Sequence, residues 1–397
     1  MKDLTLADLC TLVVDCKNRT PPGALPGEDI AGFAIGTPNI VNGRIQLSDA
    51  KPVSREAFET WTARAIPQAG DIVLTREAPV GRVGRVEDGM RLCLGQRTML
   101  LRPNERRADS RFLHYFLLSP HIQGLLHAQA SGSTVAHLRV GQVRDLRIPR
   151  VPEVAEQHRI GAVLGALDDK IVVNERIATT ADSMCDLIFQ SRAQQHTSVP
   201  MSQLLQPILG GTPDRKNESY WGGIIPWASA KDVVNATVGV VTSTEEYITE
   251  AATQNSRAKT MRPGSVVLTA RGTVGAVARL AVPSAINQSC YAFEPGRVPA
   301  AVLFHMVRSA SESMLGMAHG TVFSTVNMKT FDHVEIPDLP ADVLETLNGD
   351  LASLHQLIVS HLRESRQLVT LRDTLLPQLM SGRLRVKDAE KIVEDAT

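Results

Sequence analysis

Residues 70–86 read GDIVLTREAPVGRVGRV, and residues 264–280 read GSVVLTARGTVGAVARL. Laid together without gaps, they share eight of seventeen positions. Unrelated segments of ordinary composition share about one. A chain that repeats itself is read as repeated units before anything else. The order of features downstream repeats as well. Gln96 in LGQRT has its counterpart in Gln288 of INQSC. The stretch GSTVAHLRVGQVRDLRIP (132–149) matches GTVFSTVNMKTFDHVEIP (320–337) in length, in its first glycine and in its closing Ile-Pro. A second proline follows each closing pair, Pro152 and Pro340, and a long helical pattern then begins.

The first long pattern runs from about Glu153 to Gln195. Ile160, Leu164, Leu167, Ile171, Asn174, Ala178, Ala181, Cys185 and Ile188 alternate in steps of four and three. That is a heptad seam with one polar interruption, Asn174. The second runs from about Ala341 to Met380, with Leu347, Leu351, Leu354, Ile358, His361, Ser365 and Leu368 in the same steps. Laying Leu164–Leu167 on Leu351–Leu354 places its polar interruption, His361, on Asn174. Pro377 is expected to kink or end this helix. Neither helix buries its seam alone, so the economical expectation is an antiparallel coiled coil formed within the chain. The alternative is that each seam covers only its neighbouring globule.

Between the helices the pattern is mixed. DIVLT and SVVLT alternate like half-buried strands, and the Pro-Val-Gly and Thr-Val-Gly that follow read as tight turns into a second strand. RFLHYFLLS (111–119) and AVLFHMVRSA (301–310) are short amphipathic helix candidates. The expected class is α+β: two similar globules separated by two long helices, as a pseudo-twofold internal repeat. The boundaries are 1–151 and 197–339 for the globules, 152–196 and 340–385 for the helices, and 386–397 for a tail.

The chain has 397 residues, zero formal net charge and mean hydropathy −0.05. Two or three domains fit that length. The charge is uneven: net +5 over 1–150, −3 over 151–196, zero over 197–338 and −2 over 339–397. A basic first globule suits a nucleic-acid partner, although scatter of surface charge gives a similar spread. Cys10, Cys16, Cys93, Cys185 and Cys290 include no C-x-x-C pair, so neither a disulfide framework nor a zinc finger is expected and a reducing cytoplasm fits best. No apolar run reaches the roughly 20 residues of a membrane span, and the N-terminus has no apolar signal core.

Catalytic signatures are missing. The chain has no G-x-x-x-x-G-K-[ST] and no G-x-G-x-x-G. It also has no H-E-x-x-H or G-x-S-x-G, and no Asn/Asp-Pro-Pro-aromatic stretch for holding a flipped base. GRVGRV (81–86) has only two glycines and the wrong context. Asp168-Asp169 is a paired carboxylate on a coiled-coil helix, where a solvated face is the ordinary reading. The eleven histidines are scattered; His114, His121 and His127 read as ordinary helix and loop residues, and no metal is expected.

At this point the arrangement resembles a known family, the specificity subunits of type I restriction-modification systems. PEVAEQHRIGAVLGALDDKIVVNERI (152–177) looks very like that family's central conserved region, and RDTLLPQLMSGRLRV (372–386) like the end of its second. GGTPDRKNESYWGGIIPWASAKDV (210–233) resembles the opening of a target-recognition domain. CKNRTPPG, in the first globule, departs from that block. The resemblance implies a non-catalytic subunit that reads an asymmetric bipartite site on double-stranded DNA. It implies two modification (methyltransferase) subunits and motor-nuclease restriction subunits as partners, with S-adenosylmethionine, ATP and Mg on those partners. The helices would set the unread gap. Forty helical residues span about 60 Å, against about 34–36 Å for one turn of DNA.

Base and phosphate contacts come from polar and basic loop residues. The candidates are Arg76, Arg271 and Thr273 at the tips after the LT strands, and the recurring Gln96 and Gln288. Ser133, Thr134 and Thr321 follow the repeated glycine, and Lys231 and Asp232 follow the Trp227 strand. Each has an ordinary alternative as a turn residue or surface charge. Trp221 and Trp227 read as core before they read as base-stacking residues. Leu164, Leu167, Ile171, Leu351, Leu354 and Ile358 are the spacer candidates, and the outer faces near Glu156–Arg159 and Arg372–Gln378 are candidates for docking modification subunits. Three further readings stay open: an enzyme, a methyltransferase or nuclease whose motifs are not recognisable in the sequence; a specificity subunit of another methylation-based phage-defence system; and a coiled-coil scaffold that never touches DNA.

Overall fold

The computed structural model describes residues 4–17, 19–130, 136–149, 151–317 and 325–395. The chain divides into two compact units. Unit 1 is Met1–Asp169 with Leu368–Thr397, and unit 2 is Lys170–Gln367. Each unit thus holds one globule and a part of each long helix.

In unit 1 the strands are β1 (Cys10–Asp15), β2 (Ile30–Ile35), β3 (Ile40–Val41), β4 (Arg44–Ile45), β5 (Lys51–Ser54), β6 (Ile72–Thr75), β7 (Val83–Arg85), β8 (Leu92–Leu94) and β9 (Thr98–Pro103). The helices of this globule are α1 (Arg55–Thr62), α2 (Ser110–Leu118), α3 (Pro120–Gln129) and α4 (Val140–Arg144). One sheet has the order β1-β9-β6-β7-β4-β3 and the other β5-β2-β8. All four residues of β6 are buried. The sequence reading of a half-buried strand is corrected here: β6 lies inside its sheet and is covered on both faces, so its run is apolar rather than alternating.

Unit 2 repeats this plan. Its strands are β10 (Ser198–Pro200), β11 (Ile208–Leu209), β12 (Trp221–Ala228), β13 (Val240–Val241), β14 (Glu246–Ile248), β15 (Thr260–Met261), β16 (Val266–Thr269), β17 (Val277–Leu280), β18 (Ser284–Ile286), β19 (Cys290–Phe293) and β20 (Glu335–Pro337). The sheets run β11-β19-β16-β17-β13 and β14-β12-β18-β15, with the pair β10-β20 apart. In β16 the alternation serves two cores: Val266 and Leu268 pack with the helix Ala300–Met317, while Val267 packs with Ala228 and Ile286 of the other sheet. The first globule lacks the Tyr-Trp…Ile-Pro-Trp block, yet β2 takes the place of β12: β2 pairs parallel with β8 and antiparallel with β5, as β12 does with β18 and β14.

The long helices are α5 (Val154–Ala193) and, after α6 (Met201–Leu204), α7 (Ala230–Val234), α8 (Glu250–Asn255) and α9 (Ala300–Met317), α10 (Ala341–Met380). Within unit 2 they run antiparallel. Lys170 meets Glu364, Asn174 meets His361, and Ala178 and Ala181 pack with Ile358 and Leu362. Leu164, Leu167, Ile171, Leu351 and Ile358 are fully buried, and Leu354 is half-buried. The two polar interruptions meet each other. Asn174 Nδ2 donates to Glu364 Oε2 at 3.0 Å, and Asn174 Oδ1 lies 2.9 Å from His361 Nδ1. A paired polar site in an apolar seam favours one register over its neighbours.

Pro377 does not end α10, which continues to Met380. The stop is Gly382, at φ 70°. Its N–H donates to Leu379 O and that of Arg383 to Gln378 O, at 3.1 and 3.0 Å. This is the bonding of a Schellman cap, whose left-handed residue is ordinarily glycine. The expected tail contains a helix, α11 (Val386–Glu394), which buries Val386, Ala389 and Val393. Among the described residues no helix is long and apolar enough to cross a membrane.

Candidate nucleic-acid interface

The repeated sequence builds the same hydrogen-bonded tip in each globule. In unit 1 the Thr75 hydroxyl donates to Pro79 O (2.7 Å) and accepts from Arg82 N (2.9 Å), while Thr75 O accepts from Gly81 N (3.0 Å). In unit 2 the Thr269 hydroxyl donates to Thr273 O (2.5 Å) and accepts from Ala276 N (2.9 Å), while Thr269 O accepts from Gly275 N (2.9 Å). Gly81 and Gly275 sit at φ 88° and 91°, where a side chain is strained. A neighbouring helix clamps each of them: Gln123 Nε2 donates to Gly81 O, and Ser311 Oγ to Gly275 O. The repeat is therefore one device, a turn closed by a buried threonine.

The strand ends just beyond these threonines carry the candidates. Arg76 N donates to Arg97 O, and Leu138 N to Arg76 O. In unit 2, Ala270 N donates to Ser289 O, and Val326 N to Ala270 O. Each tip is thereby tied to the turn that bears the recurring glutamine and to the segment following the repeated glycine. So Arg76 and Gln96 belong to one surface of unit 1, and Arg271, Thr273 and Gln288 to one surface of unit 2. Arg271 and Thr273 are exposed, whereas Arg76 and Gln96 are half-buried. Gln288 accepts a hydrogen bond from the Thr212 hydroxyl through Oε1, which leaves its amide N–H donors. Ser133, Thr134 and Thr321 lie outside the described residues.

Lys231 and Asp232 lie on α7, and they differ. Asp232 caps its own helix: Oδ2 accepts from Ser229 N and Oγ, and Oδ1 accepts from Glu245 N. Its carboxylate is committed to framework. The fully exposed Lys231 ammonium donates to Glu245 at 2.6 Å, which raises its affinity for the proton. An exposed pair of this kind is easily exchanged for a phosphate.

Several residues on these surfaces carried no pattern in the sequence. Arg215 lies over the Trp221 ring at 3.9 Å and pairs with Glu246. Trp227 is core, donating to Gly211 O at 3.0 Å, while Trp221 stands half-exposed at the rim. In unit 1, Glu77 meets both Arg97 and His137 at 3.4 Å. These contacts join loops far apart in the chain, so only the fold brings them together.

On the helices the structure corrects one reading and narrows another. Asp168 is not on a solvated face. Its side chain is 16% exposed and accepts from Arg372 (2.6 Å) and the Tyr115 hydroxyl (2.5 Å), with Arg44 at 3.4 Å. Burial raises the Asp168 pKa, but Arg372, Tyr115 and Arg44 together outweigh it and hold the group below the ordinary carboxylate range. The docking stretches are also only partly outward. Gln157 is buried, taking Asp109 N and donating to Arg107 O and Pro152 O, and Arg372 is spent on Asp168.

Two copies of one mixed sheet module, each carrying a pinned polar tip and each attached to long helices, define a duplicated fold. The family model for the type I restriction modification DNA specificity domain matches residues 1–180 and 202–344, and the chain belongs to that family. It is 31% identical over 131 residues to the specificity subunit of the type I restriction enzyme MjaIX of Methanocaldococcus jannaschii, covering 32% of this chain and 30% of that protein. It is 24% identical over 188 residues to the HindI specificity subunit of Haemophilus influenzae, covering 46% of this chain and 40% of that one. The matched stretches thus span well under half of those relatives. The crystal structure of the type I restriction-modification S subunit from M. genitalium has the same fold, with TM-score 0.58, 14% identity and 96% of each chain covered.

Proposed function

We propose that this chain is the sequence-reading subunit of a type I restriction-modification complex. It reads an asymmetric bipartite target on double-stranded DNA and does no chemistry itself. Two modification subunits and the motor-nuclease subunits act on the DNA that it selects, and S-adenosylmethionine, ATP and Mg serve those partners. Such a complex works in the cytoplasm.

One observation carries this reading. The two globules share their threonine-closed turns and the central order of their sheets, yet the side chains at the tips differ: Arg76-Glu77-Ala78-Pro79 in one, Ala270-Arg271-Gly272-Thr273 in the other. A conserved scaffold with divergent tips suits two readers of different bases, because phosphate contacts position a protein while base contacts specify its site. Arg76, Gln96, Ser133 and Thr134 serve one half-site; Lys231, Arg271, Thr273, Gln288 and Thr321 serve the other. Asp232 shapes the loop that presents Lys231. Leu164, Leu167, Ile171, Leu351, Leu354 and Ile358 hold the helices that set the gap.

Selection of duplexes from a random pool, by this chain in complex with its modification subunit, should enrich two short blocks around a fixed unread gap. Enrichment of a single continuous block, or of none, would contradict the reading.

A further inference from the structure

Unit 2 contains a buried set of metal-ligating side chains that the reading of DNA does not use. Cys185 of α5, His305 of α9 and His355 of α10 are all buried, and their ligand atoms lie within 4.8 Å of one another. His305 Nε2 and His355 Nε2 are 2.8 Å apart. The other nitrogen of His305, Nδ1, lies 2.8 Å from Asp186 Oδ1. With the proton on Nδ1, Asp186 accepts it and the Nε2 lone pair turns toward His355; Arg308 Nη2 also lies 3.0 Å from Nδ1. A carboxylate behind an imidazole is the usual means of orienting a histidine ligand.

The internal repeat shows what is unusual here. The register that lays Leu164 on Leu351 also lays Asp168 on His355 and Cys185 on Arg372. Helices α2 and α9 start at equivalent points, and the left-handed Gly43 and Gly239 approach His114 and Phe304 respectively, so Tyr115 corresponds to His305. Unit 1 fills these places with a closed hub: the Tyr115 hydroxyl and the Arg372 guanidinium on the Asp168 carboxylate. Unit 2 fills them with one thiol and two imidazoles. Where the hub has the cation of Arg372, unit 2 has Cys185.

We propose that Cys185 Sγ, His305 Nε2 and His355 Nε2 bind one transition-metal ion of the zinc class, with Asp186 positioning His305. One thiolate and two imidazoles suit Zn²⁺ or Co²⁺. In the metal-free form the two rings share a proton nearly head-on, with centroids 5.0 Å apart. An ion 2.0–2.1 Å from each nitrogen at a tetrahedral angle needs them about 3.3 Å apart, so loading parts the rings by about half an ångström. The shared proton moves to His355 Nδ1, and the Cys185 thiol proton leaves to solvent. Burial, aided by Arg279, His305 and Arg308, pushes His355 down to about 2, and burial lowers His305 as well. Burial pushes the Cys185 thiol up to about 11, with Asp182 and Asp186 adding to that and Arg279 and Arg308 opposing it. The fixed charges around the site are Asp182, Asp186, Arg279 and Arg308, two of each sign. The Nε of Arg279 is buried with no hydrogen-bond partner, and a thiolate at Cys185 supplies negative charge beside it.

The test uses the full chain, stripped with chelator and titrated with Co²⁺ alone. The expected result is one ion per chain by mass spectrometry and a near-ultraviolet thiolate-to-cobalt band. Cys185→Ser should abolish the band, and Asp186→Asn should weaken binding about 10–100-fold. His196→Gln, outside the set, should change neither. Fewer than about one ion per ten chains at saturating Co²⁺, or a band that survives in Cys185→Ser, would overturn the proposal. Should a variant fail to fold, the stoichiometry and band of the unaltered chain decide the matter alone.

Discussion

At the scale of single residues, a few buried polar groups define the geometry of the tips and the helix junction. Thr75 and Thr269 each satisfy their hydroxyl within their own turn, so the tip beyond them is presented rigidly. Asp168 gathers charge from two arginines and a phenol. Removing one partner of a buried pair typically costs about 3–5 kcal/mol, because the other is left unsatisfied. With Asp168 four-fifths covered, Asp168→Asn should lose about 3 kcal/mol locally at neutral pH. Amide exchange in α2 would then quicken by about a hundredfold. The sign with pH follows from a carboxylate depressed by folding. Its contribution is present above the unfolded value of about 3.9 and is lost as pH falls through the lower folded value. The gap between unaltered chain and variant should therefore be full at pH 6 and shrink below about pH 4. A constant gap down to pH 3 would show that Asp168 does not carry the hub.

At the scale of elements, the heptad seams were the most legible part of the sequence. Period fixes which face is apolar, and Leu164, Leu167, Ile171, Leu351 and Ile358 are all buried. The laid-over register even placed Asn174 and His361 as a pair. The structure adds that they bond to each other and to Glu364. A double-mutant cycle over Asn174→Ala and His361→Ala should return a coupling of about 1 kcal/mol, read as the shift in unfolding midpoint of the full chain. Additive losses would mean that the contact is incidental. Less legible were the features that depend on several elements. Pro377 looked like a stop because the rule is local, whereas Gly382 closes the helix through bonds back to Gln378 and Leu379. Asp168 looked solvated because heptad position says nothing of what α2 brings to it. Cys185, His305 and His355 lie 120 and 50 residues apart in sequence, so no ligand spacing could announce them.

At the scale of the whole molecule, the repeat made the fold class readable and left the binding residues hard to read. What recurs between the halves is framework, so a repeat points to Thr75, Gly81, Thr269 and Gly275 more surely than to any base-reading side chain. Asp232 shows the difficulty: it sits on a candidate surface, yet its oxygens close a capping box and hold Glu245 N. Arg215, stacked on Trp221, had no repeated counterpart to mark it. The first globule lacked the motif of the second and nevertheless adopts the central order of its sheets, because strand pairing answers to apolar pattern more than to residue identity.

The measurement that tests the central claim most directly is genome-wide methylation mapping in a methylation-free host. One strain would express this chain with its modification subunit, and a control strain the modification subunit alone. The account predicts a split motif, two short blocks around a fixed gap, only where this chain is present. The same motif marked by the modification subunit alone would contradict it.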